Sequence, residues 1–386
     1  MRPDRPERLY RWRFVGLCLS VFLLYVSYQL LLAVLPLHAL ALGLSEAQLG
    51  LIPGIFALSA MLWRPLAGRL ADSIGRRPLV LLGPAIFALS SLGYGLVTTT
   101  AGLLALRFFH GVGMGFGPTA ASVVVADVAP VERRGEAMAV FGLTTTTGLA
   151  AAPYVGIEIS GRWGANWTFL ASAAIASVAL LLALSLPETR PAEARPSEQL
   201  SLASLFSRGA LYPSTLLLFL LFTYGGIITF LPLFAQRRGL GNPGVFFAVF
   251  ALAVLVTRTQ SGRLADRFGR RLVLVPALII TGVSLAVLAG ADSRSGLMAA
   301  AALYGVGFGA GQPALMAMTA DRVPPAERGR ALGTFFTAFE LGILGGAMLL
   351  GPVATGLGYT AMWWVAAGVA WLGALAAFPH ITRQRG

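Results

Sequence analysis

The sequence predicts an all-α membrane protein built from two similar six-helix halves. Its 386 residues are 56% hydrophobic and 12% charged, with a mean hydropathy of +0.76, whereas soluble domains carry about 25% charged residues. Twelve apolar segments reach roughly the 20 residues that a helix needs to cross a bilayer. A motif near residue 70 also returns 194 residues later. Self-similarity at one long offset indicates a pair of structural repeats.

The predicted spans form two groups of six on either side of a polar, proline-rich stretch. That stretch, 187–210, is predicted to be a central cytoplasmic loop between an N-terminal bundle, 1–186, and a C-terminal bundle, 211–386. The first span follows a basic stretch and is too long for a cleavable signal, so it is predicted to be retained. The predicted spans are 14–37, 47–70, 79–98, 101–126, 136–158, 165–186, 211–235, 243–264, 272–290, 296–320, 331–354 and 360–379.

The arginines predict the orientation of these spans. All 29 basic residues are arginine; 22 of them lie on the even-numbered loops and the two tails, and four lie on the odd-numbered loops. Because arginine is retained on the cytoplasmic side, both termini are predicted to be cytoplasmic, in a bacterial inner membrane. The net charge of +13 is then explained by the anionic lipid bilayer, and no nucleic-acid partner is expected.

The composition also excludes several classes of enzyme. Without lysine there is neither a P-loop for ATP hydrolysis nor a Schiff-base residue for pyridoxal chemistry. Cys18 is the lone cysteine and the three histidines are far apart, so neither a disulfide nor a metal site is expected. The sequence therefore predicts a protein that is not an enzyme, with no catalytic residue, metal or cofactor.

The repeated motif reads GRLADSIGRRPLV at Gly68–Val80 and GRLADRFGRRLVL at Gly262–Leu274. Starting four residues earlier, at Arg64 and Arg258, the two copies share 9 of 17 positions. Each copy is predicted to have a glycine packed closely at the end of a span, an aspartate at the membrane edge, a glycine in a tight turn and an arginine pair. The alternative is an ordinary basic loop with a turn. These positions are Gly68, Asp72, Gly75, Arg76 and Arg77 in the first copy, and Gly262, Asp266, Gly269, Arg270 and Arg271 in the second.

The motif resembles the signature loop of the major facilitator superfamily, which lies between spans 2 and 3 and recurs between spans 8 and 9. The likeness covers the whole chain. It implies a transporter that alternates between inward-facing and outward-facing states, with this loop as a cytoplasmic latch. It also implies that Asp72 faces the start of the eleventh span and that Arg76 pairs with Asp127 at the end of the fourth. Asp321 takes the equivalent position in the second half.

The fourth span, LRFFHGVGMGFGP, resembles the family's pattern of a buried arginine followed by glycines. Arg107 takes the arginine position, and His110 stands where the family often has glutamine. The tenth span keeps the glycines but has Ala301 in place of the arginine. An arginine in a span must face the bundle interior or extend to the membrane surface. Arg107 and His110 are therefore candidates for proton coupling, with snorkelling as the alternative for Arg107.

Glu340 is a third candidate for proton coupling, about nine residues into the eleventh predicted span. A carboxylate at that depth must pair with another group, line water or be protonated. A structural hydrogen bond to a neighbouring helix is the alternative. Its counterpart in the first half is Thr146, so the two halves differ chemically here.

Three further sets of residues have weaker signals. The fifth span, GLAAAPYVG, resembles the Gly-Pro motif of the antiporter branch, although Ala152 departs from it; a proline kink is the alternative. Arg64 and Arg258 are candidates for a gate or latch, for anion contact or for snorkelling. The kink residues are Gly148, Pro153 and Gly156, and the cavity or substrate candidates are Tyr25, Gln29, Thr146, Tyr224 and Gln312.

The function expected from these features is proton-coupled export of a small organic molecule by rocker-switch alternating access, performed by a monomer. A proton symporter that imports a small, anionic solute is the first alternative, motivated by the arginines within the spans. A membrane receptor that transports nothing is the second.

Overall fold

The computed structural model describes residues 5–128, 141, 144, 152–189, 206–324 and 328–378. Within these ranges the regular structure is helical throughout, as the sequence predicts. Short 3₁₀ turns occur at Glu46–Gln48 and Arg208–Ala210. The helices are α1 Arg5–Leu32, α2 Leu35–Ala41, α3 Leu51–Ser73, α4 Arg76–Tyr94, α5 Thr100–Val128, α6 Ala152–Trp163, α7 Ala165–Leu184, α8 Leu211–Arg237, α9 Gly244–Phe268, α10 Arg270–Ala289, α11 Arg294–Asp321 and α12 Arg328–Ala377.

Eight helical stretches among the described residues are long and apolar enough to cross a membrane. One of them, Ala331–Ala377, covers the last two predicted spans, and α12 changes direction inside it at Gly358, where φ is 83°. Two further predicted spans, 243–264 and 296–320, correspond to the long helices α9 and α11. These helices give the chain the architecture of a multi-pass membrane protein.

The chain divides into two compact units. The first unit comprises the described residues of 1–34 and 58–198, and the second those of 35–57 and 199–386. In the first unit, the hydroxyl of Ser172 lies 2.8 Å from that of Ser27 and 2.9 Å from that of Ser91, joining α7 to α1 and α4. A Cβ on Gly83 of α4 would lie 2.6 Å from the Gly117 Cα of α5. Small residues thus allow close helix approach here, as in other membrane bundles.

In the second unit, glycines likewise allow close approach between helices. A Cβ on Gly346 of α12 would overlap the carbonyl of Phe222 on α8. A Cβ on Gly309 of α11 would lie 3.0 Å from the Val254 Cα of α9. The 3₁₀ turn at Glu46–Gln48 packs on α12, since a Cβ on Gly351 would lie 2.7 Å from the Ala47 carbonyl oxygen. Segment 35–57 therefore packs within the second unit although it precedes most of α3.

Candidate functional site

Arg76 is held at the junction of α3 and α4 in the first unit. Gly75 makes the turn between these helices at φ 107°, a conformation that residues with a side chain rarely adopt. The Arg76 Nε donates to Asp127 Oδ2 on α5 at 3.1 Å, and its Nη1 donates to the Ala71 carbonyl at 3.2 Å. The Arg76 side chain is 8% exposed and that of Asp127 is 27% exposed. The contact that the resemblance implies is therefore present as a partly buried ion pair.

Glu188, which the sequence analysis did not single out, completes this arrangement. Its Oε1 accepts the backbone N–H of Arg76 at 2.9 Å, and its Oε2 accepts that of Arg77 at 3.1 Å. The carboxylate thus caps the first turn of α4, where the helix dipole favours an anion. The hydroxyl of the next residue, Thr189, donates to Asp127 Oδ2 at 3.1 Å. We call Arg76, Asp127, Glu188 and Thr189 the Arg76 network.

The signal for Glu188 in the sequence was weak. It follows Pro187 just after an apolar span, a position typical of an ordinary polar loop. The structure explains why Gly75 precedes α4, because a Cβ there would lie 2.9 Å from the Glu188 carboxyl carbon. The absence of a side chain at Gly75 thus allows both the turn with positive φ and the close approach of the Glu188 carboxylate.

The second copy of the motif makes a looser version of the contact. Gly269 turns at φ 94°, and the Arg270 Nε lies 3.3 Å from Asp321 Oδ2. Here the side chains are 29% and 57% exposed. The side chains of Asp72 and Asp266, and the packing of Gly262, lie outside what the structure describes.

The described residues do not show the close packing expected at Gly68. Gly68 lies within α3, five residues before the helix ends at Ser73. No described atom lies within 4 Å of the position that its Cβ would occupy. Among the described residues, therefore, no close contact accompanies this glycine, and α3 continues past it to Ser73.

Arg107 lies inside the first unit, among aromatic side chains. Its side chain is 1% exposed, so the snorkelling alternative is wrong. Its Nη1 lies 3.5 Å from the Tyr94 hydroxyl and 3.4 Å from His110 Nδ1, and those two atoms are 3.0 Å apart. The guanidinium carbon lies 5.6 Å from the ring centroid of Tyr28. We call Tyr28, Tyr94, Arg107 and His110 the Arg107 cluster.

This cluster gives the buried cation both hydrogen-bond acceptors and a π face. The sequence analysis missed Tyr94 and Tyr28. Tyr94 ends α4, and its partners lie one helix further along the chain, so no local spacing links them. The structure joins the predicted Arg107 and His110 in one buried polar group.

Glu340 is buried in the second unit, with 7% of its surface exposed. It lies on α12, two residues before Gly342, where a Cβ would come within 2.6 Å of the Leu221 Cβ of α8. Glu340 and Arg107, both candidates for proton coupling, belong to different compact units.

The remaining candidates have separate surroundings. Arg258 donates through Nη2 to Gln312 Oε1, so α9 and α11 are joined at that level. The Tyr224 ring centroid lies 5.2 Å from that of Phe308 in an aromatic cluster. A Cβ on Gly156 would overlap the Leu30 carbonyl. Arg64 and Tyr25 are half-buried, Gln29 and Pro153 are buried, and Thr146 and Gly148 lie outside the described residues.

A further polar group, absent from the sequence analysis, lies at the far end of the second unit. Glu46, in the 3₁₀ turn, accepts a hydrogen bond from Arg237 at the end of α8. The Tyr359 hydroxyl donates to the other Glu46 oxygen at 2.9 Å, and the Arg237 guanidinium lies 5.5 Å from the Tyr359 ring centroid. We call Glu46, Arg237 and Tyr359 the Glu46 clasp.

Comparisons with known proteins agree with this architecture. The chain is 25% identical to the staphylopine export protein of Staphylococcus aureus over 91% of this chain and 92% of that one. It is 26% identical to the multi-drug resistance efflux pump PmrA of Streptococcus pneumoniae over 89% of each. It is 28% identical to the uncharacterized MFS-type transporter YhhS of Escherichia coli, over 92% of this chain and 89% of that one.

Solved structures share the fold at lower identity. The crystal structure of the human organic anion transporter MFSD10 matches 97% of this chain and all of that one, with a TM-score of 0.73 and 21% identity. A POT family transporter in complex with 5-aminolevulinic acid matches 96% of each chain, with a TM-score of 0.81 and 15% identity. The Major Facilitator Superfamily model matches residues 17–257 and 242–385. With a match over nearly the whole chain, this multi-pass membrane protein belongs to the Major Facilitator Superfamily.

Proposed function

We propose that this protein is a proton-coupled exporter of a small organic molecule. In this proposal the chain crosses a bacterial inner membrane twelve times, with both termini in the cytoplasm. It works as a monomer and alternates between inward-facing and outward-facing states by a rocker-switch movement. Relatives named as an export protein and as an efflux pump support the direction of transport. The absence of lysine, and with it of a P-loop, supports coupling to an ion gradient rather than to ATP.

The burial of Glu340 is the observation that carries the proton-coupling proposal. An ionised carboxylate in a helix bundle is costly, so Glu340 gains or loses a proton when its surroundings change between dry and hydrated. Alternating access supplies such a change, because the helices around a central site separate on each side in turn. Protonation from one side and release to the other would then drive export.

Two clusters of polar residues support the proposed alternation between inward-facing and outward-facing states. In the proposed orientation, the Arg76 network is cytoplasmic, and the Glu46 clasp is on the opposite side because Arg237 lies on an odd-numbered loop. Both consist of a few partly exposed ionic contacts. Such contacts are weak enough to break and re-form during a transport cycle.

The test is transport by the purified chain in liposomes that contain a pH-sensitive dye. Under an imposed proton gradient, candidate solutes should move opposite to protons. Glu340→Gln should abolish the proton movement while some substrate binding remains. Glu158→Gln is the matched control, because Glu158 is a partly exposed carboxylate bound to Arg162 at 2.7 Å within α6. Equal proton movement by wild type and Glu340→Gln would remove Glu340 from coupling, and solute movement along with protons would replace export by import.

Import of an anionic solute is the second candidate function. It is supported by Arg107 and Arg258, since Arg107 is buried within α5 and Arg258 contacts Gln312 between α9 and α11. If this function is right, Arg258→Gln should weaken binding of anionic solutes and leave neutral ones unaffected. Direct binding assays with matched anionic and neutral solutes separate the two functions.

A further inference from the structure

Two arginines from different helices lie against one tyrosine ring in the second unit. Tyr212 is in the first turn of α8, Arg271 in the first turn of α10, and Arg322 directly after the end of α11. The Arg322 guanidinium carbon lies 4.5 Å from the Tyr212 ring centroid, and that of Arg271 lies 5.8 Å from it. We call these three residues the Tyr212 site.

The electrostatics of the Tyr212 site favour an anion. Each guanidinium is attracted to the ring face, but the two positive charges repel each other. Partial burial, and then the charge of Arg271, lower the pKa of Arg322. The neighbouring carboxylate of Asp321 accepts a hydrogen bond from Arg270 Nε. An added anion at this ring would offset the repulsion, and a phosphate suits the planar donors of arginine.

The surroundings place the site at the edge of the membrane. The stretches that can cross a membrane begin here, at Arg208 for α8 and at Arg270 for α10. One apolar neighbour of each residue is exposed: Leu211, next to Tyr212, is 51% exposed, and Leu272, next to Arg271, is 47% exposed. Arginines beside lipid-facing leucines are at the depth of the phospholipid headgroups.

In the first repeat, an anion binds at the start of α4, the helix equivalent to α10. There the carboxylate of Glu188 accepts the N–H groups of Arg76 and Arg77 at the start of α4. In the second half, the corresponding stretch after the last span reads FPHITRQRG and contains neither aspartate nor glutamate. That stretch therefore offers no acidic side chain to the start of α10.

We propose that Arg271 and Arg322, held against Tyr212, bind the phosphate of an anionic phospholipid headgroup. The acyl chains then lie along the outward leucines. The arginine distribution assigns this lipid to the cytoplasmic leaflet, which is rich in anionic headgroups. Lipid binding at this site does not depend on the direction of transport or on proton coupling. A negative result for lipid binding would therefore leave the proposed transport function untouched, and the reverse also holds.

The experiment measures lipid binding to the delipidated full-length protein in detergent. Fluorescent phosphatidylglycerol is titrated, with phosphatidylcholine and inorganic phosphate as competitors. Wild type should prefer phosphatidylglycerol. Arg322→Gln and Arg271→Gln should each weaken its binding about fivefold, the effect of one arginine near an anionic surface. Tyr212→Leu should also weaken phosphatidylglycerol binding, because both guanidiniums lose their contact with the tyrosine ring.

Arg267→Gln is the matched control, since Arg267 is an exposed arginine in the last turn of α9 and its loss changes the net charge equally. It should change lipid binding less than twofold. Equal losses in the control and in Arg322→Gln would reduce the effect to general surface charge and overturn the site. Inorganic phosphate competing as strongly as the lipid would overturn the lipid assignment. Arg322 is exposed, so its variant should fold, and size-exclusion profiles check this.

Discussion

Asp127→Asn should loosen the start of α4 by an amount that the structure sets. Asp127 Oδ2 accepts hydrogen bonds from Arg76 Nε and Thr189 Oγ1, each at 3.1 Å. Breaking a fully buried ion pair costs about 3–5 kcal/mol, whereas exposed pairs contribute about 0–1 kcal/mol. With the Arg76 side chain 8% exposed and that of Asp127 27% exposed, about 2 kcal/mol is expected, or a roughly 30-fold rise in local opening.

The second repeat supplies the matched control. Asp321 lies at the equivalent position and makes the same kind of contact with Arg270, but its side chain is 57% exposed and that of Arg270 is 29% exposed. Solvent screening should limit the cost of Asp321→Asn to about 1 kcal/mol or less, so opening should rise no more than about fivefold.

Hydrogen exchange followed by mass spectrometry measures both effects, because it reports the free energy of local opening. The amides to compare are those of residues 76–80 in α4 and 270–274 in α10. Protection in the first segment should fall in Asp127→Asn and stay unchanged in Asp321→Asn. An equal or larger effect of Asp321→Asn at its own segment would refute the argument from burial. Unchanged protection in Asp127→Asn would show that the Glu188 cap alone holds the helix start.

Three other substitutions have defined outcomes. Gly83→Ala should destabilise the protein by about 1–3 kcal/mol, because its Cβ would lie 2.6 Å from the Gly117 Cα. Gly68→Ala is the control: no described atom lies within 4 Å of its Cβ position, so the thermal midpoint in detergent should be unchanged. A larger loss of stability in Gly68→Ala than in Gly83→Ala would contradict this packing. Glu46→Gln should raise hydrogen exchange of residues 46–52 about tenfold by weakening the contacts to Arg237 and Tyr359; exchange equal to wild type would show that packing alone closes that end. Tyr94→Phe should lower the thermal midpoint, because the buried His110 Nδ1 loses a partner at 3.0 Å; an unchanged midpoint would mean that Arg107 replaces that hydrogen bond.

Much of the architecture was predictable from the sequence because it depends on properties that are local along the chain. Membrane helices satisfy their backbone hydrogen bonds within each segment, so apolar length alone indicates where they lie. The repeat of GRLAD and the arginine pair is visible without coordinates, and its resemblance to the family led to the Arg76–Asp127 contact. The position of Glu340 within an apolar segment was likewise visible in the sequence, but only the structure shows that 7% of its surface is exposed.

The contacts that the sequence analysis missed join residues that are far apart in the chain. Glu188 contacts Arg76 across 112 positions, and Tyr359 contacts Glu46 across 313. No periodicity or spacing encodes such pairs, because they depend on which helix ends meet after the bundles have packed.

The sequence by itself therefore determined the helices, the two repeats, the family and the residue types available for chemistry. The tertiary structure decided which of those residues meet: it enclosed Arg107 with Tyr94 and His110, and it brought two arginines onto Tyr212. The physical reason is that hydropathy and helix formation are set within about 20 residues. Ion pairs and ring contacts require positions a few ångströms apart in space, and only the packed helices define those positions.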